Sequence, residues 1–441
     1  MIIQTKEKNY LLLIIAHIII GLFINVFPSF SIIYGGLIFL ISIYFIIKTR
    51  NRNHEVIYAC AYIVGSEVFL RMTNGSPSYE FSKYCLVFFS LLGMFYSGLS
   101  KNAVPYWIFL ILLIPAIAIG IENLGIKTNI RTTISFNISG PISLGFMSLY
   151  TYQKKIKISE INNIILMMGL PIISCAAYLL LYTSKITADL SSTGSNFDLS
   201  GGFGPNQVAT ALGLGMFVFF SRALLVSRTK LMLFTNLAIG VYIGYRGLLT
   251  FSRGGMVTAI LMLMILLFII YLYSKKESKV KLFFIISFML AIFSGILIYS
   301  AYKTDGLITN RYTNKDAIGR EKSSASTGRS QISNEEIDLF LKNPLFGVGV
   351  GCGAEIRAEK SEFVASHNEL TRMIAEHGSL GIMALLILAI TPIILYLGNK
   401  EHIYMFCFLT FWLLTINHAA MRTAAPSFIY ALTLLKVKFY E

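Results

Sequence analysis

Charged side chains are scarce in this sequence: 13% of its 441 residues are Asp, Glu, Lys or Arg, 55% are hydrophobic, and the mean hydropathy is +0.69. Soluble domains average about 25% charged residues, and too few polar side chains are present to coat a core of this size. A water-soluble globular fold is excluded. A disulfide scaffold is excluded as well, because Cys60, Cys85, Cys175 and Cys407 lie in apolar runs and Cys352 stands alone, with no CxxC pair. The chain has no HExxH, no Walker loop and no Asp-x-Asp pair. Gly347, Gly349, Gly351 and Gly353 alternate without the Lys-Ser/Thr of a phosphate cradle. These absences disfavour a metal-dependent enzyme and imply no cofactor. Internal repeats and low-complexity tracts are also missing.

What the sequence does have is apolar runs of membrane-crossing length. Candidate spans cover 9–27, 30–48, 56–72, 81–99, 105–121, 133–151, 161–183, 206–226, 231–250, 256–273, 282–302, 381–397, 403–419 and 424–436, the last pair being short. The expected fold is an all-α polytopic membrane protein of about 12–14 transmembrane helices. A bundle over 1–302 (about 11 spans) precedes a large polar loop over 303–380 and C-terminal spans over 381–441. The first span lacks a small-residue cleavage site and reads as retained.

The net charge of +15 would fit nucleic acid on a soluble chain, but its distribution says otherwise. Every second connection, beginning with Lys6 and Lys8 and ending with Lys436 and Lys438, is basic. Together these segments hold 19 of the 37 Lys and Arg against six acids. The positive-inside rule makes that face cytoplasmic, with both termini on it, and nucleic acid is not an expected partner. The 303–380 loop is nearly neutral, with ten bases and eleven acids, and reads as a small folded cap on the other face.

Ionisable groups in a bilayer are costly and mark sites or pathways. Arg246 and Arg253, in GYRGLLTFSRGG, are seven residues apart. On one continuous helix they would point the same way, leaving room at Gly247, Gly254 and Gly255 for a head group. Two aligned guanidinium groups suit a pyrophosphate or other dianion; the blander alternative is snorkelling to lipid phosphates or pairing with an acid such as Glu67. Glu67 and Arg71, four apart, read as an intrahelical ion pair. His418 and Arg422 read as cavity-lining or capping residues. In GGFGPNQVATALGLG, Pro205, Asn206 and Gln207 are helix starters, and two amides at a helix N-terminus also suit anionic or sugar groups.

In the loop, Ser333–Lys342 has a capping box (Ser333, Glu336) and an Asn343-Pro344 stop, with Arg329 just before it. A second helix is expected from about Glu362 to His377, ended by Gly378. It would put His367, Leu370 and Ile374 on one face. On spacing alone His367 reads as a buried, hydrogen-bonded imidazole, but histidine is also the side chain suited to taking a proton near neutral pH, with Asn368 beside it to orient the ring.

TFSRGG around Arg253, TGRS…NPLFGVGVG (327–351) and SHNELTRMIAEHGSLG (366–381), with GFGPNQVATALGLG before them, resemble the O-antigen ligase and O-antigen polymerase superfamily. The resemblance covers about the last 240 residues. It implies a GT-C-like, metal-independent membrane glycosyltransferase at the periplasmic face of the bacterial inner membrane. Such an enzyme moves a glycan from an undecaprenyl-diphosphate carrier to an acceptor hydroxyl. Carried over by motif, the family's arginine near the loop falls on Arg253, its loop arginine on Arg329 and its histidine on His367. The aromatic residue that often follows the loop arginine is absent from GRSQISNEEID.

The resemblance thus implies Arg253 and Arg329 on the diphosphate and His367 as base. Arg246, Asn206, Gln207 and Asn368 are the expected substrate-binding residues. Ligase action on lipid A core comes first. Polymerisation of carrier-linked repeats, protein O-glycosylation and transport of lipid-linked sugars stand as alternatives, although transporters usually hold charges at mid-membrane within repeated halves.

Overall fold

The computed structural model describes residues 7–125, 129–184, 192–322, 329–358 and 366–439. Its helices are α1 (Glu7–Val26), α2 (Phe30–Thr49), α3 (Glu55–Met72), α4 (Phe81–Ser97), α5 (Val104–Asn123), α6 (Ile130–Thr151), α7 (Ile158–Ser184), α8 (Pro205–Leu225), α9 (Lys230–Leu249), α10 (Arg253–Tyr273) and α11 (Lys276–Lys303). They continue with α12 (Leu307–Tyr312), α13 (Arg329–Lys342), α14 (Cys352–Ala358), α15 (Glu369–Leu397), α16 (Met405–Ala419) and α17 (Ala425–Leu432). Among the described residues, α1, α2, α5, α7 to α11 and α15 are long and apolar enough to cross a membrane. The chain is an all-α, multi-pass membrane protein.

Side-chain exposure sorts the helices. α7 and α8 are buried along most of their length at the centre of the bundle, whereas α11 turns Phe283, Phe284, Leu290 and Ile298 outward. A helix that is apolar all round and still exposed is solvated by lipid tails, not water. One buried cluster joins α1–α4 with α7–α11, a second joins α5 with α15, and α6, α16 and α17 contribute to both.

Two short strands, β1 (Lys155–Lys157) and β2 (Lys436–Lys438), pair in parallel and bring two of the basic stretches together. Lys154 donates to Ser97 Oγ at 2.7 Å, and Asn51 Nδ2 donates to the Tyr150 hydroxyl at 2.7 Å. These contacts gather the basic connections at one end of the bundle. At the opposite end α12, α13, α14 and the first part of α15 form a cap.

The last return to the basic end is made without a full-length helix. α17 has eight residues, about 12 Å, too short for a hydrocarbon core of about 30 Å. The chain leaves the cap end where Ala420 N donates to His367 O (3.0 Å) and reaches the basic end where Lys436 N donates to Lys154 O (2.9 Å). An irregular segment, 420–424, supplies the missing length.

Three local expectations are corrected. α13 begins at Arg329, one turn before Ser333, so no capping box forms there; Glu336 instead accepts from Arg357 and Thr371. The second cap helix begins at Glu369, because Asn368 Oδ1 accepts from Leu370 N and caps it. His367 therefore precedes that helix and shares no face with Leu370 and Ile374; the expected start at Glu362 lies outside the described residues. Finally, α9 and α10 do not form one helix through Arg246 and Arg253. The backbone breaks at Thr250–Ser252, where Phe251 takes φ +56°.

Gly378 does end a helix: its φ of 61° and ψ of −141° kink α15 between its cap portion and its membrane portion. The kink receives the alternating-glycine segment. Val348 N and Gly349 N donate to the Ala375 and Glu376 carbonyls, and Val350 N reaches the Ala116 carbonyl on α5. A Cβ on Gly378 would stand 2.6 Å from both Gly347 N and Leu345 O. We expect Gly378→Ala to destabilise the protein by more than the ~1–3 kcal/mol of the backbone conformation alone, because main-chain atoms cannot rotate away. Thermal unfolding in detergent checks this, and an unchanged midpoint would contradict it.

Candidate functional site

The predicted site residues collect at the cap end, where α8, α10 and α15 start and α16 stops. Pro205 is the first residue of α8, a position where its missing N–H costs nothing. Asn206 Oδ1 accepts from Ser252 Oγ at 2.8 Å, immediately before Arg253 opens α10. Arg253 is half-buried and donates to the Arg311 carbonyl at 3.4 Å; Arg311 Nε in turn donates to Phe251 O at 2.9 Å and fixes the turn between α9 and α10. Arg311 and its neighbour Tyr312 carried no recognisable motif in the sequence. Burial pushes the Tyr312 phenol up to about 12, against the pull of Arg253 and Arg311, so it stays a neutral donor. Among the described residues its hydroxyl has no partner.

His367 and Asn368 line a cavity of about 230 Å³ with Ser330, Ile332 and Ser333 of α13, Ser366, and Asn417 of α16. Arg329, the first residue of α13, thus precedes three residues of this wall; Thr327 and Gly328 of its motif lie outside the described residues. Next to Asn417, His418 ties the cavity to α10. Its imidazole approaches Thr210 Oγ1 at 3.3 Å and fills the space at Gly254. The His367 cavity wall thus adjoins, through Asn417 and His418 of α16, the first turn of α10, where His418 packs at Gly254 next to Arg253.

The glycines near the arginines leave no vacancy. A Cβ on Gly247 would meet Met256 Sδ at 2.3 Å, one on Gly254 the His418 ring at 2.4 Å, and one on Gly255 the Ala209 carbonyl carbon at 2.3 Å. They allow close helix packing and not the approach of a head group, which corrects that expectation. Arg246 stands apart from the cavity. It is buried and donates to Thr183 Oγ1 and Leu179 O, both at 3.1 Å, bracing α9 against α7. Gln207 accepts from Arg71 (3.0 Å) and donates to the Tyr79 hydroxyl (3.2 Å).

A second cavity, of about 270 Å³, lies on the other side of Ser366. Its wall includes Arg357, Glu369, Arg372 and Glu376, to which the sequence assigned no site role, with Asn137 and with Arg422, which the sequence reads as cavity-lining or capping. Arg372 is the hub. It pairs with Glu369 and, at 2.6 Å, with Glu376, and donates to the Asn137 carbonyl at 2.9 Å. Beside it, burial raises Glu336, opposed by its hydrogen bond from Thr371 and by Arg357. The only sequence signal was spacing, since Glu369, Arg372 and Glu376 fall at i, i+3 and i+7 on one helix face. Among the described residues no three His, Cys, Asp or Glu are grouped as metal ligands.

Glu67 and Arg71 form the expected intrahelical pair, at 2.6 Å. Arg71 also lies 4.0 Å over the Tyr79 ring.

Residues 237–386 match the family model described as O-Antigen ligase. The matched stretch runs from α9 into the membrane portion of α15. It contains Arg246, Arg253, Arg329, His367 and Asn368, whereas Asn206, Gln207, Glu67, Arg71 and Arg422 lie outside it. No curated protein matches the chain. Over these residues the chain resembles the O-antigen ligase superfamily, and the match supports a function of the O-antigen ligase and polymerase type that uses lipid-linked glycans.

Proposed function

We propose, starting from this match to the O-antigen ligase family, that the protein is a membrane glycosyltransferase. It would move a glycan from an undecaprenyl-diphosphate carrier to a hydroxyl of lipid A core, inverting and without a metal ion. The cap end faces the periplasm of a bacterial inner membrane, and the basic end with both termini faces the cytoplasm. The observation that carries the reading is the convergence at the cap end. His367 lines a cavity with the start of α13, and Asn417–His418 carry that wall to Gly254, the residue after Arg253.

In the reaction the acceptor oxygen attacks the sugar C1, the bond from C1 to the phosphate oxygen breaks, and the carrier leaves as its diphosphate. His367 accepts the proton of the attacking hydroxyl. Arg253 and Arg329 take the charge that grows on the departing diphosphate, a role two fixed guanidinium groups fill because they hold their charge and offer planar forks of donors. Asn206 keeps Arg253 in place through Ser252, and Asn368 holds the end of α15 beside the base. Gln207 contributes through the Arg71–Tyr79 cluster. Arg246 supports the carrier side by fixing α9 on α7.

Reconstitution tests this reading. Purified protein in liposomes, given an undecaprenyl-diphosphate-linked glycan, lipid A core and EDTA, is expected to yield core-linked glycan and free carrier diphosphate. Longer carrier-linked glycan with untouched core would make it a polymerase, glycan on a protein acceptor an O-oligosaccharyltransferase, and transbilayer movement without transfer a transporter.

A further inference from the structure

Residues 420–424 interrupt the helical path between α16 and α17, with Ala420 at φ +51°. Irregular backbone within a membrane bundle must have its polar groups bonded by protein, and here the bonds come from two sides. On one side is α3: Ala424 N donates to Glu67 Oε2 at 2.7 Å, and Arg71 Nη1 donates to the Arg422 carbonyl at 3.0 Å. On the other side is the strap before α15. Ala420 N donates to His367 O at 3.0 Å, and Arg422 Nη2 donates to Ser366 O at 2.9 Å.

An ion pair at i,i+4 on an exposed helix face is worth little and binds nothing else. Glu67 and Arg71 differ on both counts. Their side chains are 1% and 3% exposed, and each directs bonds away from α3 onto the same five-residue stretch. Charges buried at the end of a membrane helix at such cost have a task beyond closing one helix turn.

We infer that Glu67 and Arg71 are positioning residues, which hold the 420–424 segment so that it fixes the strap carrying His367. The inference rests on the proposed transfer reaction, in which His367 is the base. α3 lies outside the matched family stretch, and neither residue lines the His367 cavity, so their effect passes through the segment and not through contact with substrate.

The test uses full-length protein in liposomes, comparing Glu67→Leu, Glu67→Gln and Arg71→Met. Arg222→Met serves as control: this buried arginine donates to Asn162 O at the basic end, at 2.9 Å. Two readouts are taken, backbone amide exchange over 418–425 and steady-state transfer per folded molecule. Glu67→Leu and Arg71→Met are expected to speed exchange at Ala420 and Ala424. They should lower kcat by about 10- to 100-fold, the scale of a small misplacement of a catalytic group, with KM for the carrier-linked glycan nearly unchanged. Glu67→Gln, which keeps an acceptor for Ala424 N, is expected to recover much of kcat. Arg222→Met is expected to lower thermal stability but keep kcat. Unchanged exchange would overturn the inference, as would faster exchange with wild-type kcat or a kcat loss equal to that of Arg222→Met. Absence of transfer by the wild-type protein overturns the reaction reading instead, while the exchange data still report on the clamp.

Discussion

Arg253→Ala and His367→Ala are each expected to reduce glycan transfer by two orders of magnitude or more at normal expression. Loss of a positioned general base costs roughly 10²–10⁴-fold, and loss of one preorganised donor to developing negative charge roughly 10²–10³-fold. The double variant should lose less than the product of the two, because the groups act on one transition state. Arg253→Lys keeps the charge but not the planar fork and is expected to recover only part of the rate. The measurement is product formation with saturating carrier-linked glycan. Transfer at the wild-type rate by either alanine variant would remove that residue from the mechanism.

Arg372→Ala is expected to have the largest effect on stability. The guanidinium is 7% exposed and faces the Glu369 and Glu376 carboxylates, which are 3% and 2% exposed. Removing it leaves two buried acids uncompensated, at a cost of about 3–5 kcal/mol. The same charge removed from all three members, as Arg372→Met with Glu369→Gln and Glu376→Gln, should restore much of the loss. Thermal unfolding in detergent decides the matter: a single variant as stable as wild type, or a triple variant no better than the single, would show that the cluster is not held by this pairing.

The candidate site was legible in the sequence wherever a residue type carried its own chemistry. Arg253 and His367 stand in short motifs, and both lie at the cap end of the bundle, on either side of Asn417 and His418. Arg246 shows where that reasoning stops. Seven residues on a continuous helix align two side chains, but Thr250–Ser252 break the helix, and a direction inferred from periodicity does not survive a change of period. His367 was misassigned to a helix face for a related reason: Asn368 is both a plausible partner for the ring and a good cap, and the cap prevails because it satisfies the amide of Leu370. The Arg372 cluster was missed because its charges look like ordinary solvated loop charges until Asn137 and the 420–422 segment close over them.

Composition and patterning alone determined that the chain lies in a membrane and crosses it as helices. Those properties follow from the cost of leaving apolar side chains in water and backbone groups unbonded in lipid, and both costs are summed locally along the chain. Tertiary structure decided the rest. It seated the alternating glycines against the α15 kink, turned Arg246 inward to α7, and carried residues 420–424 between α3 and the His367 strap. Each of these depends on partners far away in sequence, over 350 residues in the case of Glu67 and Ala424, and no local pattern encodes which distant group will meet a buried charge.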